Sequence, residues 1–344
     1  MSQEKQFPPL AITMGEPGGV GGELTLKAWR ALKDDPTAVF FAIDDPARLR
    51  ALAARLNLTV DVNEVSAPGE ASKTFPNALP VMALDAPVSS DLGVASPQTA
   101  DAVKTSIETA TRLSLAGAAA GVVTNPIQKS ALAAAGFPFP GHTEYIADLV
   151  KDTPLTGPRG PVMMLAGSGL RAVPATIHIP LKEVSKALTT DLIANVARVT
   201  AAALHVDFAI PAPRLAIAGL NPHAGEAGVL GTEDADIIAP AVATLNGEGI
   251  AAEGPLPADT MFHDAARADY DAAICMYHDQ ALIPVKTIDF FGTANVTLGL
   301  PVVRTSPDHG TALNIAGKGL AHPESLIAAI RLARDIARRR AANG

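Results

Sequence analysis

The sequence predicts an α/β protein with a largely parallel or mixed sheet. Short apolar runs alternate with helical patterns along the whole chain, which is the signature of repeated strand–helix units. The composition is that of a packed globular chain, with hydrophobic residues at 48% and charged residues at 18%. Aromatics are only 4%, so Ala, Val, Leu and Ile must build the core. At 344 residues the chain is long enough for two domains or one large α/β domain.

In chain order, "PLAITM" (9–14) reads as a strand, followed by the glycine-rich turn "GEPGGVGGE" and the helical "ELTLKAWRALKD". "AVFFAI" (38–43) is a second strand and ends at Asp44 and Asp45. "AGVVTNP" (120–126) is a third, and the helix "IQKSALAAAG" after it closes on Gly136, a suitable C-cap. "DTPLTGPRGP" (152–161) is a surface loop. "AVPATIHIP", "RLAIAGLNPH" and "AAICMYH" are further strands, separated by helical material such as "DLIANVARVTAAALH". "PESLIAAIRLARDIARRR" is an amphipathic helix, basic at its C-terminal end as the helix dipole favours. There is no internal repeat, no low-complexity tract and no sharp domain boundary.

A formal charge of −8 argues against nucleic acid as a partner and weakly against anionic membranes, while leaving room for a small anionic substrate in a local basic pocket. The lone Cys275 cannot form an internal disulfide and reads as inert core. The N-terminal "MSQEKQFPPL" has no apolar signal core and no run approaches membrane-spanning length, so a cytoplasmic protein is expected.

Three histidines stand at strand ends: His178 closes "AVPATIH", His223 follows "RLAIAGLNP" and His278 follows "AAICMY". In a parallel sheet such ends share one edge, where ligands of α/β proteins collect. Three imidazoles with an open position form a catalytic arrangement for a divalent metal. Their long sequence gaps resemble no helical zinc motif, and a hydrogen-bonded core histidine is the other reading of each. His142, in "GHTEY", can reach the same edge, whereas His205, His263 and His322 lie in helical or irregular polar contexts and read as solvated. His309 sits in "RTSPDHGTA", where Arg304, Thr305, Ser306 and Gly310 suggest an anion cradle, with Lys286 and Asn295 just upstream. Alternatively Arg304 pairs with a carboxylate such as Asp308. The turn "GEPGGVGGE" satisfies no register of G-x-G-x-x-G, because taking Gly19 and Gly21 as the first pair puts Leu24 where the third glycine belongs. No Walker A pattern fits, and the turn reads instead as one presenting backbone N–H groups at a helix start.

Taken in order, "TMGEPGGVGGE", "TNPIQK", "PGHTEY", "ATIHIPL", "GLNPHAGEAGVLGTED", "GPLPADT", "MYHDQALIPVK", "NVTLGLP" and "RTSPDHGTA" resemble the 4-hydroxythreonine-4-phosphate dehydrogenase (PdxA) family of pyridoxal phosphate biosynthesis, from about residue 9 to 335. Asn125 and the loop 152–161 depart from the usual pattern without touching the motif residues. The resemblance implies an isocitrate/isopropylmalate dehydrogenase-like two-domain α/β/α fold, with a central cleft and a dimer interface forming the active site. The first domain would take roughly 1–135 plus 295–344. The second, roughly 136–294, would carry most metal ligands and the dimer interface. His178, His223 and His278 would be the metal ligands, contributed by both subunits of a homodimer. His142 and Thr143 would contact substrate, and Lys286, Asn295 and Arg304 would hold its anionic groups. Expected cofactors are NAD or NADP and one divalent metal, Zn, Mg or Co.

The implied reaction oxidises 4-phosphooxy-L-threonine at its C3 hydroxyl to 2-amino-3-oxo-4-phosphooxybutanoate, which loses CO₂ to give 3-amino-2-oxopropyl phosphate. Asp259 of "PADT" and Asp279 beside His278 are candidates for proton transfer or for orienting a ligand, with Lys286 also a catalytic candidate. Three rivals follow from the same residues: a paralogue oxidising 4-phospho-D-threonate or 4-phospho-D-erythronate, a three-His metal-dependent hydrolase, and a non-catalytic phosphate-ligand sensor.

Overall fold

The computed structural model of the chain describes residues 7–343. They fall into two compact units, one running to Pro154 and resuming over Pro301–Arg338, the other spanning Leu155–Leu300 and the chain from Arg339 on. The first unit opens with β1 (Leu10–Thr13), β2 (Phe40–Asp44), β3 (Val62–Glu64), β4 (Leu79–Ala83) and β5 (Val122–Val123). The second contributes β6 (Val162–Gly167), β7 (Leu170–Pro174), β8 (Arg214–Ala218), β9 (Ala251–Leu256), β10 (Ala272–Cys275) and β11 (Ala294–Leu298), and β12 (Arg304–Pro307) returns to the first.

The strands of the first unit lie in the order β3-β4-β2-β1-β5-β12, every pairing parallel. Helices Gly21–Leu32, Pro46–Arg55 and Ala100–Leu115 make crossovers between them. Every residue of β1 and β2 is buried, as a parallel sheet covered by helices requires. Phe40 meets Phe75 edge-on at 4.9 Å between centroids, and rings buried this fully each stabilise the fold by about 2–3 kcal/mol. Helix Pro46–Arg55 starts where its sequence says it should: Pro46 occupies the first position and the Asp45 carboxylate accepts from the N–H groups of Ala47 and Arg48.

Part of the glycine-rich turn is bonded within the unit: Gly18 donates to the Glu16 carboxylate, Gly19 to the Glu16 carbonyl and Val20 to the Thr311 carbonyl. A Cβ at Gly18 would collide with the Val94 carbonyl, so the glycines are there because the chain's own backbone lies against them.

In the second unit the order is β11-β6-β7-β10-β8-β9, and the sheet is mixed. β6 runs antiparallel to both β7 and β11, while β7, β10, β8 and β9 are mutually parallel. A two-residue turn joins β6 to β7, with Gly169 at φ 83°, a conformation that favours glycine. Central β10 is wholly buried, and Ala273 stands opposite Ala172 on one side and Ala216 on the other. Cys275 is fully buried in this strand, and burial pushes its thiol pKa up, so the inert reading holds. The run after it is helical, His278–Ile288, with Pro284 inside. Among the described residues no helix is long and apolar enough to cross a membrane.

Candidate functional site

The parallel pairing of β7, β10 and β8 brings the three strand ends that precede His178, His278 and His223 to one edge of the second unit's sheet. His178 and His278 come together there, ring centroids 5.7 Å apart. His278 opens its helix, and its Nδ1 is bonded to the Asp279 carboxylate at 2.7 Å. That contact orients the ring and leaves Nε2 for another partner, the usual arrangement of a metal-bound imidazole. Two half-exposed to exposed imidazoles on adjacent strand ends are a donor pair suited to a divalent cation.

His223 is exposed on a turn of unusual backbone. Residues 223–227 all have positive φ, from 43° at Glu226 to 81° at Gly225, so one left-handed turn carries the imidazole. Four of the five are not glycine, and such residues cost about 1–2 kcal/mol each. The residues leading into the turn are held by Asp234, whose carboxylate accepts from the N–H groups of Leu220 and Asn221 and from the Asn221 amide. Among the described residues no three His, Cys, Asp or Glu side chains of this chain gather into a metal-holding group. The donor chemistry therefore fits a divalent ion with a third ligand supplied from outside the His178–His278 pair.

Asp259 and Asp279 both line a recess of about 420 Å³ in the second unit, walled by Phe262, Ile283 and Pro284. Lys286 lies further along the helix that begins at His278, its ammonium 5.8 Å from the Phe290 ring centroid. Asn295 sits on β11, and its side-chain oxygen is enclosed with no hydrogen-bond partner among the described residues. A buried acceptor left open in this way is ready for a donor from a ligand.

The first unit holds the cationic group. Arg304, on β12, is buried and donates to the hydroxyls of Thr124 at 2.8 Å and Thr143 at 3.4 Å. Burial lowers its pKa to about 10, against a smaller opposing effect from Glu144. His142 and Thr143 begin the helix His142–Leu149. Burial, then the charges of Arg304 and Lys129, hold the His142 imidazole well below its ordinary pKa, so it is neutral at pH 7. Its Nε2 is enclosed without a partner among the described residues. The helix is fixed by Tyr145, which donates to Glu108 and packs against Phe137 and Phe139. Two cations and a neutral imidazole in one place suit a small anion.

The suggested anion cradle is only partly realised. Alternation along β12 turns the Thr305 hydroxyl away from Arg304 and onto the Ala329 carbonyl, and His309 bonds its own neighbour, the Gly310 carbonyl. Thr124 and Lys129 are site residues that sequence reasoning missed. Both lie in the stretch "TNPIQK", whose conjunction with Arg304 exists only in three dimensions. In the glycine turn the N–H groups of Gly18, Gly19 and Val20 are already bonded and so are not open to a ligand.

Comparison with known proteins places the chain in a family. Residues 36–333 match the family described as pyridoxal phosphate biosynthetic protein PdxA. The chain is 56% identical over 335 residues to a 4-hydroxythreonine-4-phosphate dehydrogenase of Caulobacter vibrioides, covering 96% of this chain and 98% of that one. It is 52% identical over 341 residues to one from Methylorubrum populi, covering 97% and 96%. The crystal structure of the Klebsiella pneumoniae 4-hydroxythreonine-4-phosphate dehydrogenase superposes with a TM-score of 0.85 at 37% identity, covering 96% of this chain and 99% of that one.

Proposed function

This chain belongs to the PdxA family, the pyridoxal phosphate biosynthetic proteins, and from that membership we propose how its residues divide the work. It is a nicotinamide-dependent dehydrogenase that oxidises 4-phosphooxy-L-threonine at C3. The resulting β-keto acid loses CO₂ to give 3-amino-2-oxopropyl phosphate. The observation that carries this reading is the buried Arg304–Thr124–Thr143 group with neutral His142, an anion site in a chain whose net charge is negative.

Arg304, Lys286 and Asn295 hold the anionic and polar groups of the substrate, the phosphate among them. Substrate donors complete the enclosed Asn295 oxygen and a substrate acceptor or donor the His142 Nε2. His178, His223 and His278 hold one divalent ion, Zn, Mg or Co. When bound, the nicotinamide, NAD or NADP, supplies the acceptor for the C3 hydride and the ion supplies Lewis acidity at the C3 oxygen. Asp259 takes the hydroxyl proton, Asp279 fixes the His278 ring, and Lys286 returns a proton to the carbon that CO₂ leaves.

A second copy of the chain completes the ligand set, and exposed apolar side chains support this. Leu181 follows His178, Val229 follows His223, and Ile283 and Phe290 follow His278; all four are at least 63% exposed. Apolar residues beside every imidazole-bearing segment are what an isologous dimer would cover. We place this homodimer in the cytoplasm. Mixing His178→Ala with His223→Ala protein tests the sharing, since hybrids regain activity only if the two ligands of one site come from different copies. The substrate reading is tested by kcat/KM for 4-phosphooxy-L-threonine against its unphosphorylated form. We expect a loss of about 30-fold or more without the phosphate, and equal values would refute the anion site.

A further inference from the structure

Gln280 takes no part in the chemistry above, yet it is a polar side chain built into the imidazole edge. It is buried, its Oε1 accepts from the Met276 N–H at 2.6 Å, and its Nε2 donates to the Gly219 carbonyl at 2.8 Å. Met276 lies two residues before His278, and Gly219 four residues before His223. One amide therefore bonds the strand ends that deliver two different imidazoles.

Its position explains why a side chain is needed. The β10–β8 ladder ends at Ile274 opposite Ile217. Beyond that point each backbone turns to its other neighbour: Gly219 N–H donates to the Leu256 carbonyl, and Thr176 bonds the Met276 carbonyl through both its N–H and its hydroxyl. Thr176 is itself two residues before His178. Gln280 fills the gap left between the diverging ends, so that a continuous chain of bonds runs Thr176–Met276–Gln280–Gly219 beneath all three histidines. A capping box would pair Gln280 with the N–H of Tyr277, the N-cap residue, rather than with that of Met276. The donor to Gly219 has no part in capping.

We propose that Gln280 is a positioning residue that holds, within one copy, the helix bearing His278 in register with the strand end leading to the His223 that this copy lends to its partner's ion. This rests on the reading of His178, His223 and His278 as ligands of divalent ions shared across the dimer. The full-length apoprotein is titrated with Co²⁺ by calorimetry and by visible absorption, as wild type, Gln280→Met, Gln280→Asn, His223→Ala and His278→Ala, with thermal unfolding alongside. Gln280→Met fills similar volume without hydrogen bonds, and Gln280→Asn keeps an amide too short to span to Gly219. Both are expected to weaken Co²⁺ binding about 10- to 100-fold and to alter the Co²⁺ spectrum, while unfolding stays cooperative. Wild-type affinity and spectrum in the Gln280 variants, with binding lost in the histidine variants, would overturn the positioning role and leave the ligand reading intact. Binding unaffected by the histidine substitutions would overturn both. Should Gln280→Met not fold, Gln280→Asn decides by the same criteria.

Discussion

Replacing Arg304 by Met should leave stability nearly unchanged and make the protein much worse at binding substrate. The guanidinium is 4% exposed, and burial has lowered its pKa from 12.5 to about 10. At about 1.4 kcal/mol per pKa unit, keeping it charged costs the empty fold about 3 kcal/mol. The sign follows from linkage: a base with a depressed pKa holds its proton less well when folded, so the cost is present throughout the pH range below that value. Methionine has similar length and no charge. Its substitution abandons charge-assisted bonds to Thr124 and Thr143, at about 1.5 kcal/mol or more each. Cost and gain nearly cancel, so Tm should move by no more than a few degrees. A bound phosphate reverses the balance, because it meets a desolvated cation, and losing that contact costs about 2–5 kcal/mol. Thermal unfolding without substrate and steady-state kinetics with 4-phosphooxy-L-threonine read the two effects. We expect a Tm close to wild type and a KM raised by about 30-fold or more. A Tm lowered by several degrees with KM unchanged would mean that Arg304 is a structural ion rather than a substrate ligand.

Three further outcomes follow from other residues. Because His142 is held neutral when folded while the unfolded chain takes up a proton below pH 6.5, stability should fall as pH drops from 7 to 5. His142→Gln should flatten that limb in denaturation at several pH values, and an unchanged slope would refute the depressed pKa. Gly18→Ala sets a methyl against the Val94 carbonyl and should cost roughly 2 kcal/mol or more in urea denaturation; a neutral result would mean that the 91–94 loop does not lie against the turn. Asp259→Asn should lower kcat by roughly 100-fold or more with metal binding retained, whereas unchanged turnover removes Asp259 from proton transfer.

The parallel strand ends that carry His178, His223 and His278 were legible because buried parallel strands read as apolar runs and the residues after them share an edge. The helix over His278–Ile288 was not, since Pro284 breaks the helical pattern of "ALIPVK" and only packing of Ala281, Leu282 and Val285 decides the matter. The glycine turn was readable as tight, but not that Thr311, far along the chain, would occupy one of its N–H groups. Thr305 was legible in principle, for alternation along a strand that points Arg304 inward must point its neighbour outward. Gln280, Asp234 and Thr124 left no trace, because each acts on backbone or side chains distant in sequence. His223 shows the same limit in the backbone: nothing in "NPHAGEAG" announces a left-handed turn.

Nicotinamide reduction by the purified protein is the most direct test, measured with 4-phosphooxy-L-threonine before and after chelation and again after adding back a divalent metal. Turnover that chelation abolishes and metal restores is the predicted result, joining the dehydrogenase assignment to the three-imidazole site. Turnover indifferent to chelation would contradict the metal site, turnover only with 4-phospho-D-threonate would move the enzyme to another substrate, and silence with both would contradict the assignment itself.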